Sequence, residues 1–289
     1  MDYLLTLKNA TAYLESHLYD DPSYLDVAKE VYLSPFHFMR IFKAWTGYTI
    51  EEYTRKRKLY IAALSLINSS KTITEIAFDA GYSTLESFSK AFKICYGVSP
   101  SYFRKHPSCI EKFEPLEIIF PKGGNTMDFK ISKMPAFRIV GFKKEFDVET
   151  AYKKIPEFWD EVMRIICSPK DKNHDLQKRC GIGQFGVCVS KKGCTKFDYY
   201  IAGLYHGEAL PKGYEVYEIG PHEYAKFKCI GPMPKALQEL NTKIYKEWLP
   251  TNKEYEMEGD IDIEYYSLGD GSSSTYESGI WLPIQRKSR

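Results

Sequence analysis

Long apolar runs are missing from this chain of 289 residues. No stretch reaches the roughly 20 residues that a membrane-spanning helix needs, and the N-terminus has no basic-then-apolar leader. No membrane partner is expected. Cysteine is sparse and scattered. The seven residues (Cys95, Cys109, Cys167, Cys180, Cys188, Cys194 and Cys229) form no CxxC pair and no Cys/His grouping with zinc-like spacing. That pattern speaks against a zinc module, and an odd number of dispersed thiols suits a reducing cytoplasm, the expected compartment. Nucleophile signatures of the Ser-His-Asp or Cys-His kind, a P-loop and a dinucleotide fingerprint are absent as well. No catalytic residue, cofactor or metal site is therefore expected. Charge of one sign is also lacking: 40 Lys and Arg face 38 Asp and Glu, for a net +2. Length and a 44% hydrophobic content suit two ordinary globular domains.

What is present is one motif written twice. Val27-Ala28 through Ser34-Pro35-Phe36-His37-Phe38-Met39-Arg40-Ile41-Phe42-Lys43 to Gly47 returns as Ile76-Ala77 through Ser83-Thr84-Leu85-Glu86-Ser87-Phe88-Ser89-Lys90-Ala91-Phe92-Lys93 to Gly97. Each copy parses as helix, tight turn, helix. Ser34 and Ser83 are expected as N-caps, because a serine oxygen accepts from the first-turn N–H groups. Pro35 suits a first helical position. Gly81 suits a turn with positive φ, and Tyr32 holds that place in the first copy. Apolar residues recur at helical spacing: Phe38, Ile41, Phe42 and Trp45, then Phe88, Ala91, Phe92 and Cys95. They are expected to enter the domain core. The opposite faces carry Phe36, His37, Met39, Arg40 and Lys43, and Leu85, Glu86, Ser89, Lys90 and Lys93. A recognition helix lays such a face in the major groove.

These residues resemble the AraC/XylS family of transcription regulators over about residues 5–105. The signature of the second copy runs from Ile76-Ala77 through Gly81-Tyr82, Phe88 and Phe92-Lys93 to Gly97-Val98-Ser99-Pro100 and Tyr102-Phe103-Arg104. The resemblance implies two reading heads on one rigid domain, entering two successive major grooves of double-stranded DNA. The joining helix would run from Ile50 to about Asn68. Its run Arg55-Lys56-Arg57-Lys58 offers Arg55 and Arg57 to phosphate. Base contacts would come from Phe36, Met39 and Arg40 in the first head, and from Leu85, Glu86, Ser89 and Lys90 in the second. Arginine pairs with guanine, and a carboxylate accepts from cytosine. Glu86 departs from the polar amide of some relatives. Residues 1–107 hold 13 Lys and Arg against 11 Asp and Glu, a difference of +2. The salt-dependent term in DNA binding should therefore be modest.

Domain boundaries are expected at 1–106 for the DNA-binding part, 107–126 for a Pro- and Gly-bearing linker and 127–289 for the second domain. Beyond Met127 the periodicity turns from helical to alternating. Strands are expected over 129–146, a helix over 151–167, strands near 183–190, 198–206 and 214–229, a helix over 233–248, and strands at 261–267 and 279–284. The order reads strand, helix, strand, strand, twice over. The fold class is thus multidomain: an all-α tandem helix-turn-helix part, then a duplicated α+β part with a mostly antiparallel sheet. Such halves meet at a groove, a favoured ligand site. Alternation puts Asp262, Glu264 and Tyr266 on one face of a strand. Aromatics are dense around it, including Tyr200, Tyr205, Trp248 and Trp281, with Phe158 on the first helix.

The second part resembles the GyrI-like, or SHS2-type, effector-binding domain over about residues 128–286. The matching stretches are Phe197-Asp198-Tyr199-Tyr200-Ile201, Leu210-Pro211-Lys212-Gly213-Tyr214-Glu215, Tyr224-Ala225-Lys226-Phe227, Trp248-Leu249-Pro250, Ile263-Glu264-Tyr265-Tyr266 and Ile280-Trp281-Leu282-Pro283-Ile284. The family binds small, often lipophilic and cationic molecules in an aromatic cleft with a buried glutamate. By that resemblance the glutamate is Glu264, with Tyr266 and Trp281 beside it. Ser278-Gly279 stands where relatives often carry an acid, which speaks against dications. Together the two resemblances imply a multidrug-sensing DNA-binding regulator, whose effector shifts DNA affinity or contact with RNA polymerase. Two alternatives remain for the second part: hydrolysis of reactive xenobiotic electrophiles by Glu264 and Tyr266, or protein docking without a small ligand.

Overall fold

The computed structural model describes residues 3–107, 112–116, 127–191 and 193–287. Seven helices come first: α1 (Tyr3–Ser16), α2 (Tyr24–Glu30), α3 (Pro35–Thr46), α4 (Ile50–Asn68), α5 (Ile73–Asp79), α6 (Leu85–Tyr96) and α7 (Pro100–Lys105). The two helix-turn-helix units pack in separate cores, with Phe38 and Phe42 in one and Phe88 and Phe92 in the other. Caps fix the boundaries. Ser34 Oγ accepts from the His37 N–H and caps α3. In the second copy the cap is Thr84, which accepts from the Ser87 N–H, and not Ser83. The extra residue of that copy moves the helix start by one. Gly47 and Gly97 close α3 and α6 in the left-handed conformation that glycine tolerates. At the turn, Gly81 has φ 81° and Tyr32 has φ 56°.

The α+β part is a nine-stranded antiparallel sheet. Its elements are β1 (Phe129–Met134), β2 (Phe137–Asp147), α8 (Ala151–Ile166), α9 (His174–Cys180), β3 (Phe185–Ser190), β4 (Lys196–Leu204), β5 (Glu215–Ile219) and β6 (His222–Ile230). Then come α10 (Lys235–Lys243), a π-helical turn (Ile244–Trp248), α11 (Leu249–Thr251), β7 (Tyr255–Met257), β8 (Ile261–Tyr266) and β9 (Glu277–Arg286). The duplication is visible in the strand order β1-β6-β9-β8-β3-β4-β2-β5. In one half β2 pairs β4 and β4 pairs β3; in the other β6 pairs β9 and β9 pairs β8. The two halves join where β3 meets β8. Helix α9 and strand β7 were not legible in the sequence. Both are short, and neither shows a repeating apolar pattern.

One sheet face carries α8 over Phe146, Phe197 and Tyr199, and α10 over Ala225, Phe227, Ile280 and Leu282. The other face forms a separate core of Ile139, Val187, Tyr200, Ala202, Ile219, Tyr224 and Ile263. The helical part does not stand apart. Phe36 and Met39 of α3 share one core with Phe158, Val162, Cys188 and Phe197. Ile41 and Ala44 share another with Leu237, Ile244, Tyr245 and Trp248. Helix α3 therefore sits over the β3–β8 seam, with α8 on one side and α10 on the other. Most of the expected linker, 108–111 and 117–126, lies outside the described residues, including all but Leu116 of the apolar stretch 116–120.

Candidate effector cleft and DNA-reading helices

The seam between the two halves is acidic. Register pairs Gly186 with Glu264 and Cys188 with Asp262, so both carboxylates project from β8 toward the helices. Gly186 makes the room: a methyl at its Cα would stand 2.3 Å from the Tyr199 hydroxyl and 2.9 Å from Glu264 Oε2. In that space Tyr199 and Tyr266 donate to Glu264 Oε2 at 2.8 and 3.0 Å. Trp159 Nε1 donates to the Tyr199 oxygen at 2.8 Å and packs edge-on against Tyr266. Burial, then the Glu264 charge, pushes both tyrosine hydroxyls well above their ordinary value, so both remain donors. Burial likewise pushes the Asp262 carboxyl up, against the pull of Arg40 and with Glu264 adding to it.

The group facing these acids is Arg40 of α3. Its Nη1 lies 3.2 Å from Asp262 Oδ2 and donates to Asn241 Oδ1 at 3.3 Å, while Nη2 reaches Glu264 Oε1 at 3.3 Å. The guanidinium also stands 5.2 Å from the Phe36 ring centre, a cation–π distance. Burial alone would disfavour the arginine charge, but Asp262, with Tyr245 and Glu264, more than compensates and holds its pKa well above the ordinary value. The π-helical turn adds a further tie. The carbonyl of Tyr245 would look five residues on for its donor, but Pro250 has no N–H. It accepts instead from Trp45 Nε1 of α3 at 3.0 Å.

The two reading helices thus share a sequence pattern but not a setting. On α6, Leu85, Glu86, Lys90 and Lys93 are exposed, and Ser89 is partly so. On α3, Phe36, Met39 and Arg40 keep only 6%, 3% and 8% of their surface. His37 stands between the rings of Tyr3 and Tyr245 with Nε2 shut off from water, and Lys43 pairs with Glu52 at 3.0 Å. Of the residues of α3 expected to face DNA, Phe36, Met39 and Arg40 are therefore covered by the α+β part, while Lys43 stays half-buried on Glu52 of α4. Arg55 is exposed beside Glu51. Arg57, expected at phosphate, turns inward instead to Glu15 at 2.8 Å and to the Phe113 carbonyl. A half-buried carboxylate within hydrogen-bond reach holds that guanidinium inward.

Of the expected pocket residues the structure brings Glu264 and Tyr266 together. Phe158 is near, packed against Phe146 one helical neighbour from Trp159. Trp281 is not beside Glu264. It pairs with Ile263, so it lies on the opposite sheet face, stacked 5.7 Å from Tyr265 with Lys226 over its ring. Tyr200 lies on that far face too. Trp248 packs with Phe227 and Phe129, and Tyr205 lines a separate cleft of about 460 Å³ with Phe137 and Glu218. Sequence analysis did not select Tyr199, Trp159 or Asp262 for the pocket. Alternation alone marks Asp262, and the parity of Tyr199 within β4 needs its register with β3.

The fold and site define a class: an AraC-type helix-turn-helix DNA-binding region followed by an effector-binding α+β fold. Residues 27–106 match the family described as helix-turn-helix domain. Residues 130–284 match that described as integron-associated effector binding protein, and the chain belongs to this family. Among its relatives is the regulatory protein SoxS of Escherichia coli, 31% identical over 105 residues, 36% of this chain and 97% of SoxS. The right origin-binding protein of Escherichia coli is 33% identical over 108 residues, 37% of each chain. The structure of an integron cassette protein from Vibrio cholerae aligns over 54% of this chain and 95% of its own, at 18% identity and a TM-score of 0.41. The chain spans 33% and 37% of the length of two of the curated relatives it matches. No helix among the described residues is long and apolar enough to cross a membrane.

Proposed function

We propose that this protein is a transcription regulator whose α+β part binds a small lipophilic cation at the β3–β8 seam. Asp262, Glu264, Tyr199, Tyr266 and Trp159 would line the site. It acts in the cytoplasm, on DNA. One observation carries this reading: two carboxylates are held on a largely buried, aromatic-walled surface and balanced by a single guanidinium. An unpaired buried carboxylate costs several kcal/mol, so such a surface selects for a positive partner. Aromatic faces add about 0.5–2 kcal/mol each. Sequence-specific contact with DNA falls to the exposed face of α6 in the arrangement described.

The test is thermal melting of the full chain with tetraphenylphosphonium, the neutral triphenylphosphine oxide and the anionic tetraphenylborate, beside Glu264→Gln. A cation at a hundred times its dissociation constant adds about 2.7 kcal/mol, a shift of several degrees. The expected result is a shift with the cation alone that Glu264→Gln removes. Equal shifts with all three probes, or none with any, would refute the cationic site.

A further inference from the structure

The cation site is already filled, and what fills it is a DNA-reading residue. We propose that Arg40 is the built-in occupant of the acidic seam, that a cationic effector acts by taking its place, and that this exchange releases α3 to read a second major groove. The inference rests on the proposed effector site and adds its mode of regulation.

The chemistry of the two occupants is the same. Arg40 meets two carboxylates and an amide oxygen of the α+β part, and the carboxylates, with the rings of Tyr199, Tyr266 and Trp159 beside Glu264, are the groups a lipophilic cation would use. Docked α3 leaves Asp262 only 4% exposed beneath Arg40, so a cation that reaches both carboxylates takes the position of the guanidinium. The docked helix is also shut off from DNA. Phe36, Met39 and Arg40 are buried against the α+β part, and base edges cannot be read by residues facing a sheet. The docked protein therefore has one open reading head, α6, and the released protein has two.

The contact is built to come apart. It includes a buried polar atom without a hydrogen-bond partner among the described residues, His37 Nε2 of α3. Unmet polar groups weaken the docked state relative to one in which water reaches them. A ligand shifts such an equilibrium only by its preference for one state. Here the preference follows from burial, because docked α3 covers Asp262 and holds both carboxylates on Arg40. By linkage, whatever factor the cation adds to DNA affinity, DNA adds to cation affinity.

The experiment is hydrogen exchange of the full chain, with and without tetraphenylphosphonium, joined to calorimetric titration of the same cation into wild type and Arg40→Gln. We expect the cation to speed exchange in residues 35–46 at least tenfold while residues 85–96 stay unchanged. Arg40→Gln should bind the cation at least tenfold more tightly, its seam being open and doubly acidic. If the cation binds wild type while protection of 35–46 holds or rises, or if Arg40→Gln matches wild type within twofold, the exchange of occupants is wrong and the effector site stands. If the cation binds neither protein, both ideas fall. Should Arg40→Gln not fold, the wild-type exchange data decide alone.

Discussion

At the scale of single residues, the site depends on a gap. Gly186 leaves room for Tyr199 to reach Glu264, so Gly186→Ala should drive that hydroxyl off the carboxylate. The expected cost is about 1–3 kcal/mol, read as a lower melting temperature, with weaker cation binding. An unchanged melt would show that the ring shifts without loss. Strain at the other end is repairable. Tyr32 holds φ 56° in the turn where the second copy has glycine, and it is 91% exposed. Left-handed backbone costs a residue with a side chain roughly 1–2 kcal/mol, partly offset by the entropy of a glycine. Tyr32→Gly should therefore stabilise by up to about 1 kcal/mol, seen as a higher urea midpoint at constant m. The turn position was legible in the sequence. The crowding at Gly186 was not, because it arises between three strands.

At the scale of elements, the two recognition helices make opposite predictions from matching sequences. Lys90 on α6 is exposed. Lys90→Ala should weaken binding to duplexes selected from a random pool, and reduce the salt slope of log K by about 1 if it meets phosphate. Arg57 on α4 belongs to the same basic run as Arg55 but is paired inward with Glu15. Arg57→Ala should leave that slope alone and lower stability by about 2 kcal/mol, because a carboxylate loses its charged partner. A changed slope in Arg57→Ala would place it at phosphate after all. The second helix of each unit followed from apolar spacing, and α4 runs from Ile50 to Asn68 as the family resemblance implied. Which side chains of a basic run face solvent was not legible, since helical spacing fixes angles around an axis but not what stands opposite.

At the scale of the whole molecule, docking of α3 should respond to acid. Burial, aided by Arg40, pulls the His37 imidazole down to about 4. The groups facing it are Tyr3 from α1, Tyr245 from the π-helical turn and Arg40 on its own helix, with Asp262 and Glu264 beyond Arg40. Released, the ring would return toward its ordinary value near 6.5. The released state then binds protons that the docked state refuses. Docking is at full strength above pH 6.5 and weakens below it by about 1.4 kcal/mol per unit. The loss levels off near pH 4, at no more than about 3 kcal/mol, and less where the ring edge keeps water. Asp262 is a second titrating group at the contact, pushed up by burial and pulled down by Arg40, whose departure with α3 changes both. Exchange of residues 35–46 relative to 85–96 at pH 7 and pH 5.5, in wild type and in a His37→Gln control, separates the two. A ratio that does not move in wild type would remove His37 from the balance.

Taken alone, the sequence determined the local and periodic features: two helix-turn-helix units, their caps to within one residue, and a duplicated strand-helix-strand-strand order. These depend on neighbours a few residues apart, where cap chemistry and apolar spacing act directly. Tertiary structure decided the rest. Whether Trp281 stands beside Glu264 depends on register, and a pairing of Trp281 with Ile263 puts it on the far face. Whether Arg40 meets a guanine or a carboxylate depends on which surface covers α3. The same helix face serves both, because an amphipathic pattern specifies that a face needs a partner and leaves the partner's identity to the fold.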